Sequence, residues 1–329
     1  ISMADRPRVL VTRMLPRPGM DKLERYFELD VNREDSVLSY TVLCRRIRNI
    51  DGLLCLLNDR IDHTVIEAAK RLRIVANYAV GFDNIDLETA NSRKIPVTNT
   101  PDVLTEATAD LAMGLVLSIA RRIVEADRYL RDGRFKGWAP ELMLGSDVHG
   151  KTLGLIGMGR IGRAVAERAR GFNMRVLYHD PERLTQDEER ARRVEYSTID
   201  DILTNADFVS LHAPLTDGTR HLISAKQLGK MKNTAYLINT SRGAIIDEAA
   251  LARALKDGEI AGCALDVFEN EPAVHADLIN MRNVVLVPHI GSASVEARTK
   301  MAFMACDNLV AVLIEGKRPP NVINPGIYT

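Results

Sequence analysis

Thr152 to Ile156 is an apolar, strand-like run that passes directly into Gly157-Met158-Gly159-Arg160-Ile161-Gly162 and then into a helical stretch, Arg163 to Arg170. Strand, glycine turn and helix in that order are what a dinucleotide site requires. The first glycine allows the tight turn, the second allows backbone to approach a pyrophosphate, and the third lets helix pack on strand. The phosphates then meet the N–H groups and positive dipole end of the helix. A second strand, Met174 to Tyr178, ends at His179-Asp180-Pro181. Asp180 follows the last glycine at close to the roughly 20-residue spacing at which an acid reaches the adenosine ribose hydroxyls.

At 329 residues the chain exceeds one ordinary core, so two domains are expected. Its 44 basic and 44 acidic residues cancel, and no basic block is present to neutralise nucleic-acid phosphates or hold an anionic membrane. Neither nucleic acid nor a membrane is expected as a partner; no apolar run approaches the roughly 18 residues of a membrane span. Cys44, Cys55, Cys263 and Cys306 are scattered without a C-x-x-C pair, which fits thiols in a reducing, cytoplasmic compartment and no metal site. Ile1-Ser2-Met3 is set apart from the fold.

Short apolar strands alternate with amphipathic helical stretches along the whole chain, the signature of a parallel α/β fold. The first series has strands at Arg8 to Thr12, Gly52 to Leu57, Arg73 to Tyr78 and Pro96 to Asn99. The second opens at the glycine motif, with strands near Leu153, Val176, Phe208, Leu237, Gly262 and Val284, six in all. Leu104 to Leu130 reads as one long helix or two in succession, and Ser294 to Glu315 as a helix that carries the chain back to the first domain. The expected architecture is two Rossmann-like, doubly wound parallel-sheet domains with a cleft between them. Residues 4–100 plus 291–329 form a discontinuous, flavodoxin-like substrate-binding domain, and residues 101–290 form the dinucleotide-binding domain.

Open α/β sheets place ligands at strand ends, and three successive strands of the second series end in chemistry. Arg242 follows Tyr236 to Asn239, Glu271 follows Leu265 to Phe268, and His289 follows Val284 to Val287. Taken singly, each has an ordinary structural explanation as a cap, a solvated charge or a satisfied imidazole. Together beside a dinucleotide site they match the needs of hydride transfer to a 2-oxo acid. Arg242 can fork two N–H bonds toward a carboxylate and a carbonyl oxygen. His289 can give or take a proton near neutrality. Glu271, if hydrogen-bonded to the imidazole, favours its protonated form and fixes the ring.

Several segments carry a family resemblance: Asn77-Tyr78-Ala79-Val80-Gly81-Phe82-Asp83-Asn84-Ile85-Asp86, Leu104 to Asp110, the glycine loop, Asn239-Thr240-Ser241-Arg242-Gly243-Ala244, Leu265 to Pro272 and Pro288 to Ser292. Over essentially its whole length the chain resembles the D-isomer-specific 2-hydroxyacid dehydrogenases, and within them most the glyoxylate/hydroxypyruvate reductases. The resemblance implies that Arg242, Glu271 and His289 are the catalytic set and that backbone N–H groups near Val80 and Gly81 hold the substrate carboxylate. It implies that His212-Ala213-Pro214, Thr240, Ser241, Arg242, Asp266, His289 and Gly291 line the cofactor, with Asp266 near the nicotinamide amide. Thr105, Thr219, His179 and Pro181 join the glycine loop, Gly157 to Gly162, and Asp180 in that expected set, and Ser292 joins the substrate contacts. It also implies a homodimer whose intersubunit arm spans the helical region from residue 104 to 145. Trp138, the only tryptophan, would reach the neighbouring subunit's site or simply anchor that interface; Leu57 would wall the small side of the substrate or be plain core.

Glyoxylate reductases of this type often prefer NADPH and carry Arg or Ser where this chain has Asp180. A carboxylate repels a 2′-phosphate and accepts from a free 2′-hydroxyl, so NAD(H) is favoured and NADP(H) stays open through Arg183. The chain is expected to lack the appended regulatory domain of many phosphoglycerate dehydrogenases, and Glu271 argues against formate dehydrogenase, which has Gln there. Still open are other acids (2-ketogluconate, D-lactate, 4-phosphoerythronate) and a non-enzymatic, NADH-sensing role like that of the corepressors resembling this family.

Overall fold

The computed structural model describes residues 6–329. Ile1-Ser2-Met3 therefore lies outside the described residues, as do Ala4 and Asp5. The chain forms two compact units, one comprising the described residues up to Leu104 together with Ser292–Thr329, the other Thr105–Gly291.

The first unit is built on five parallel strands, β1 (Arg8–Val11), β2 (Glu28–Val31), β3 (Gly52–Cys55), β4 (Ile74–Asn77) and β5 (Val97–Thr98), in the order β2-β1-β3-β4-β5. Strands β3 and β4 are buried along their whole length, which explains why Gly-Leu-Leu-Cys and Ile-Val-Ala read as continuous apolar runs rather than alternating ones, with the buried Asn77 closing β4. The helix Val295–Leu313, capped by the Ser294 hydroxyl accepting from the Ala297 N–H at 3.0 Å, packs on the helix Arg17–Tyr26 and on β4. Beyond it, the buried Asn324 side chain accepts from the Val97 N–H at 2.8 Å and donates to the Ile95 carbonyl at 3.0 Å. The end of the chain is thereby stitched onto β5.

The second unit holds seven parallel strands: β6 (Thr152–Ile156), β7 (Arg175–His179), β8 (Val194–Tyr196), β9 (Phe208–Leu211), β10 (Tyr236–Asn239), β11 (Gly262–Leu265) and β12 (Val284–Leu286). Their order is β12-β11-β10-β9-β6-β7-β8, a doubly wound sheet whose winding reverses at β6. Side chains alternate between two cores: Leu153, Leu155, Val176 and Tyr178 enter one, while Ile156, Leu177, Val209 and Leu211 enter the other.

The six strands expected in this unit are therefore corrected to seven, and β2 adds one to the first. Both additions sit at sheet edges and are short and charged: β2 is Glu-Leu-Asp-Val and β8 is Val-Glu-Tyr. An edge strand needs no long apolar run, because one side of its ladder and much of its surface meet solvent. The stretch from 104 resolves into two helices, Thr105–Ala120 and Ile123–Arg131, broken where Arg122 adopts φ +55°. The first is largely buried against β10 and β11, whereas the second buries none of its residues.

Candidate active site

Parallel register brings the first group of site residues together. Ile156 at the end of β6 pairs with Leu211 of β9 on one side and with His179 of β7 on the other, so Gly157, His212 and Asp180 are the next residues along one sheet edge. Gly157 turns there at φ +101°, and a Cβ on it would lie 2.5 Å from the His212 carbonyl carbon, so no other residue fits. The loop is fixed by the Gly157 N–H donating to the His179 carbonyl (2.8 Å), the His212 N–H to the Ile156 carbonyl (2.7 Å) and the Met158 N–H to Asp180 Oδ2 (2.7 Å).

The helix Arg160–Arg170 starts at Gly159 with no acidic residue in its first turn, and Gly162 packs so closely under the loop that a Cβ would meet the Gly157 oxygen at 2.3 Å. A Cβ on Gly159 would meet nothing within 4 Å, so the backbone at the helix start is open to a ligand. Thr240 Oγ1 is buried without a hydrogen-bond partner among the described residues. Open glycine backbone, a helix N-terminus with no acidic residue in its first turn, an acid at the end of β7 and an orphaned hydroxyl fit a dinucleotide.

The others in the expected cofactor set mostly hold loops in shape. His212 Nε2 lies 2.9 Å from Ser210 Oγ, and burial pushes its imidazole down to about 4, so it is neutral at physiological pH. Thr219 Oγ1 donates to the Pro214 carbonyl (2.6 Å) and accepts from the Thr216 N–H (2.8 Å), closing the turn that follows Ala213. His179 Nδ1 donates to the Ser197 carbonyl (3.1 Å). Arg160 and Ile161 open the helix, Pro181 follows Asp180 in the turn after β7, and Thr105 begins the helix Thr105–Ala120.

The second group follows β10, β11 and β12, which are also in register: Asn239 pairs with Leu265, and Leu265 with Leu286. The fully buried Asn239 accepts from the Ser241 N–H (3.0 Å) and hydroxyl (2.9 Å) and donates to the Arg242 carbonyl (2.9 Å). That Asx turn sets the backbone from which Arg242 projects. A Cβ on Gly243 would lie 1.9 Å from the Phe268 carbonyl carbon, so the glycine lets the Arg242 turn press against the loop that carries Glu271. His289 Nδ1 lies 2.9 Å from Glu271 Oε2, and Glu271 Oε1 accepts from the Phe268 N–H at 3.0 Å. An ionised carboxylate can only accept, so Nδ1 carries the proton and Nε2 is left to exchange one with a ligand.

Sequence reasoning did not find what holds His289. Its φ is +52°, a strained value for a non-glycine residue, and Asp266 supplies the restraint. The Asp266 carbonyl accepts from the His289 N–H (2.9 Å), while its buried carboxylate accepts from the N–H groups of Ile290 (2.6 Å) and Gly291 (2.8 Å). Burial raises the Asp266 carboxyl despite those donors and the charge of His289. Glu248 and Glu269 were also missed. The Glu269 N–H donates to Glu248 Oε1 (2.6 Å), the Glu248 N–H to Glu269 Oε2 (3.3 Å), and His221 pairs with Glu269 Oε1. A glutamate opening the helix Glu248–Asp257 looks like an ordinary helix start, and only the fold puts it beside Glu269.

Leu57 is 37% exposed, so the plain core reading fails for it. In the first unit, the carbonyls of Val80 and Gly81 accept from the Asn99 (2.9 Å) and Asn77 (2.8 Å) side chains, which fixes the peptide planes of that loop. Ser292 uses its carbonyl to accept from Arg298 Nε at 3.2 Å. Trp138, 84% exposed, lies in a stretch without helix or strand between Arg131 and Thr152.

Residues 113–291 match the NAD binding domain of the D-isomer specific 2-hydroxyacid dehydrogenases. A glyoxylate reductase from Korarchaeum cryptofilum is 53% identical over 97% of this chain and 96% of its own. The chain belongs to the D-isomer specific 2-hydroxyacid dehydrogenase family. Among solved structures of similar proteins, one from Thermus thermophilus is 48% identical with TM-score 0.89, covering 96% of this chain and 99% of that one. An NADPH-dependent glyoxylate/hydroxypyruvate reductase from Sinorhizobium meliloti, in complex with NADP and malonate, is 35% identical with TM-score 0.85, covering 97% of each chain. The family's fold of two parallel-sheet α/β domains is the one seen here. Among the described residues no helix is long and apolar enough to cross a membrane.

The Glu271–His289 pair of this dehydrogenase has a consequence for acid stability. Burial works to raise the Glu271 carboxyl, but the hydrogen bond and charge of His289, the Phe268 N–H and the charge of Arg242 outweigh it and lower its pKa from the ordinary 4.5. A depressed folded-state pKa contributes stability above the unfolded value that is lost as pH falls through the folded one. In urea unfolding, the advantage of wild type over Glu271→Gln should be fully present at neutral pH and shrink below about pH 4. An advantage that stays constant through that range would show that the carboxylate is not held by this pair.

Proposed function

We propose that this protein reduces a small 2-oxo acid, glyoxylate or hydroxypyruvate first, to the 2-hydroxy acid, with the D configuration where the product is chiral. The observation that carries this reading is the Glu271–His289 contact, 2.9 Å long, on a strand-end loop beside the one bearing Arg242. Bound NAD(P)H supplies the hydride. Arg242 forks to the substrate carboxylate and carbonyl oxygen, which fixes the carbonyl for attack. His289 Nε2 gives a proton to the oxygen as negative charge develops, and Glu271 stabilises the imidazolium from Nδ1. In this reading residues 101–290 are the dinucleotide-binding domain and 4–100 plus 291–329 the substrate-binding domain. The substrate contacts expected of Leu57, Val80, Gly81, Ser292 and Trp138 stand as proposals with it.

The deciding experiment follows NADH and NADPH oxidation with glyoxylate, hydroxypyruvate, pyruvate, 2-ketogluconate and phenylpyruvate. Turnover of the first two is expected, and His289→Asn should cut kcat by roughly 10² to 10⁴ while NADH binding stays close to wild type. No turnover on any acid would overturn the enzymatic reading in favour of an NADH-sensing one.

Within that activity NADH is the favoured donor. Asp180 Oδ1 accepts from the Glu182 N–H at 2.9 Å and Oδ2 from the Met158 N–H at 2.7 Å, so the carboxylate is held in place at the end of β7, where a 2′-phosphate would meet a like charge. Asp180→Ser should narrow the NADH over NADPH ratio of kcat/KM by about tenfold to a hundredfold, the size of one charged contact. Because the same carboxylate also holds the glycine loop, NADH should bind this variant more weakly. A wild-type preference for NADPH would defeat the assignment.

The protein is further proposed to be a cytoplasmic homodimer. Four free cysteines support the compartment. Ile123, Leu130, Phe135, Trp138 and Leu144 support the dimer: all five are at least 49% exposed and fall within one short stretch that a second copy would cover. Sedimentation equilibrium should give a dimer that Leu130→Asp with Trp138→Asp converts to monomer; a monomeric wild type would end this proposal.

A further inference from the structure

Arg183 lies three residues beyond Asp180, across a turn in which Asp180 Oδ1 accepts from the Glu182 N–H at 2.9 Å. An arginine in this neighbourhood is what accommodates the 2′-phosphate in NADP-binding relatives of the fold. Here its guanidinium is already engaged on two sides. Nε and Nη2 donate to Glu189 Oε1 and Oε2 at 2.8 and 3.1 Å, a bidentate pair, and the guanidinium carbon lies 4.9 Å from the centre of the Tyr196 ring. Glu189 has its own anchor. Its Oε1 also accepts from the Tyr178 hydroxyl at 2.8 Å, and that hydroxyl accepts from the Leu184 N–H at 2.9 Å. The Glu189 side chain is only 12% exposed, whereas Arg183 is 56% exposed. The carboxylate is thus the fixed member of the pair and the guanidinium the held one.

We propose that Glu189 is a second determinant of cofactor choice: with the Tyr196 ring it holds Arg183 away from the adenosine ribose and so denies a 2′-phosphate its cation. The inference rests on the reading of Asp180 as the residue at the ribose. It differs from a plain stabilising ion pair, because a stabilising pair has no reason to affect one adenine nucleotide more than another. Two layers of discrimination result. Asp180 repels the phosphate, and Glu189 occupies a nearby guanidinium that would attract it.

Binding of 5′-AMP and of adenosine 2′,5′-bisphosphate to the intact protein tests this by calorimetry, independently of turnover. The background is Asp180→Ser, which removes the like charge. Adding Glu189→Ala should strengthen bisphosphate binding by about tenfold, one charged hydrogen-bonded contact, and leave AMP unchanged. Adding Arg183→Ala as well should abolish that gain. A gain that survives without Arg183 would come from deleting a negative charge alone and would overturn the inference, as would no gain at all. Arg183→Ala by itself, with Glu189 intact, should leave bisphosphate affinity unchanged; a loss there would mean that Arg183 already serves the phosphate and would equally overturn it. If Asp180→Ser binds AMP but Glu189 has no effect, only this inference fails. If neither the wild type nor any variant binds either nucleotide, the dinucleotide site itself fails and takes the inference with it.

Discussion

Parallel strands can be joined only by crossovers, so every strand in a parallel sheet ends along the same edge. In the second unit that constraint places the chemistry. The ladder from β7 through β6 to β9 is in register at His179, Ile156 and Leu211, and the residues immediately beyond those positions are Asp180, Gly157 and His212. The ladder from β10 through β11 to β12 is in register at Asn239, Leu265 and Leu286, and Arg242, Glu271 and His289 follow within a few residues. A one-residue slip in either ladder would send every side chain of the shifted strand to the opposite core. The same burial that makes the sheet stable therefore fixes the site.

Register brings loops to one edge but does not shape them, and the shaping here is done by backbone contacts. Gly243 lets one loop lie against the Phe268 carbonyl, and across the same junction the carboxylates of Glu248 and Glu269 each accept from the other's backbone N–H. Asp266 spends its carbonyl and both carboxylate oxygens on three consecutive N–H groups, those of residues 289 to 291. A buried carboxylate without such donors would be costly. With them it is a rigid template, and it can sustain the left-handed backbone at His289.

This division explains what could be read from the sequence. The strand, glycine turn and helix at residues 152 to 170 were legible because periodicity and glycine spacing are local properties. The strand-end positions of Arg242, Glu271 and His289 were legible because each follows an apolar strand run. Strands β2 and β8 were not, since Glu-Leu-Asp-Val and Val-Glu-Tyr at sheet edges carry too little apolar pattern. Asp266, Asn239, Glu248 and Glu189 escaped as positioning residues for another reason. Their partners are backbone groups or side chains brought near by the fold, and a carboxylate or amide in a sequence does not announce which N–H it will meet.

Environment also sorts the titratable groups along the edge. His212 follows β9 and His289 follows β12, yet burial holds the first neutral, down to about 4, with the Ser210 hydroxyl 2.9 Å from its Nε2. The second is paired at Nδ1 with a carboxylate and keeps its side chain 26% exposed. Asp266 and Glu271 divide in the same way: burial raises the first, whose oxygens both serve backbone N–H groups, while His289 lowers the second against the pull of its own burial. Of two imidazoles and two carboxylates, His212 and Asp266 are held in structural contacts, whereas His289 and Glu271 are partly exposed and face each other. In the proposed mechanism, that separation would let a proton pass at His289 without disturbing the turn that positions it.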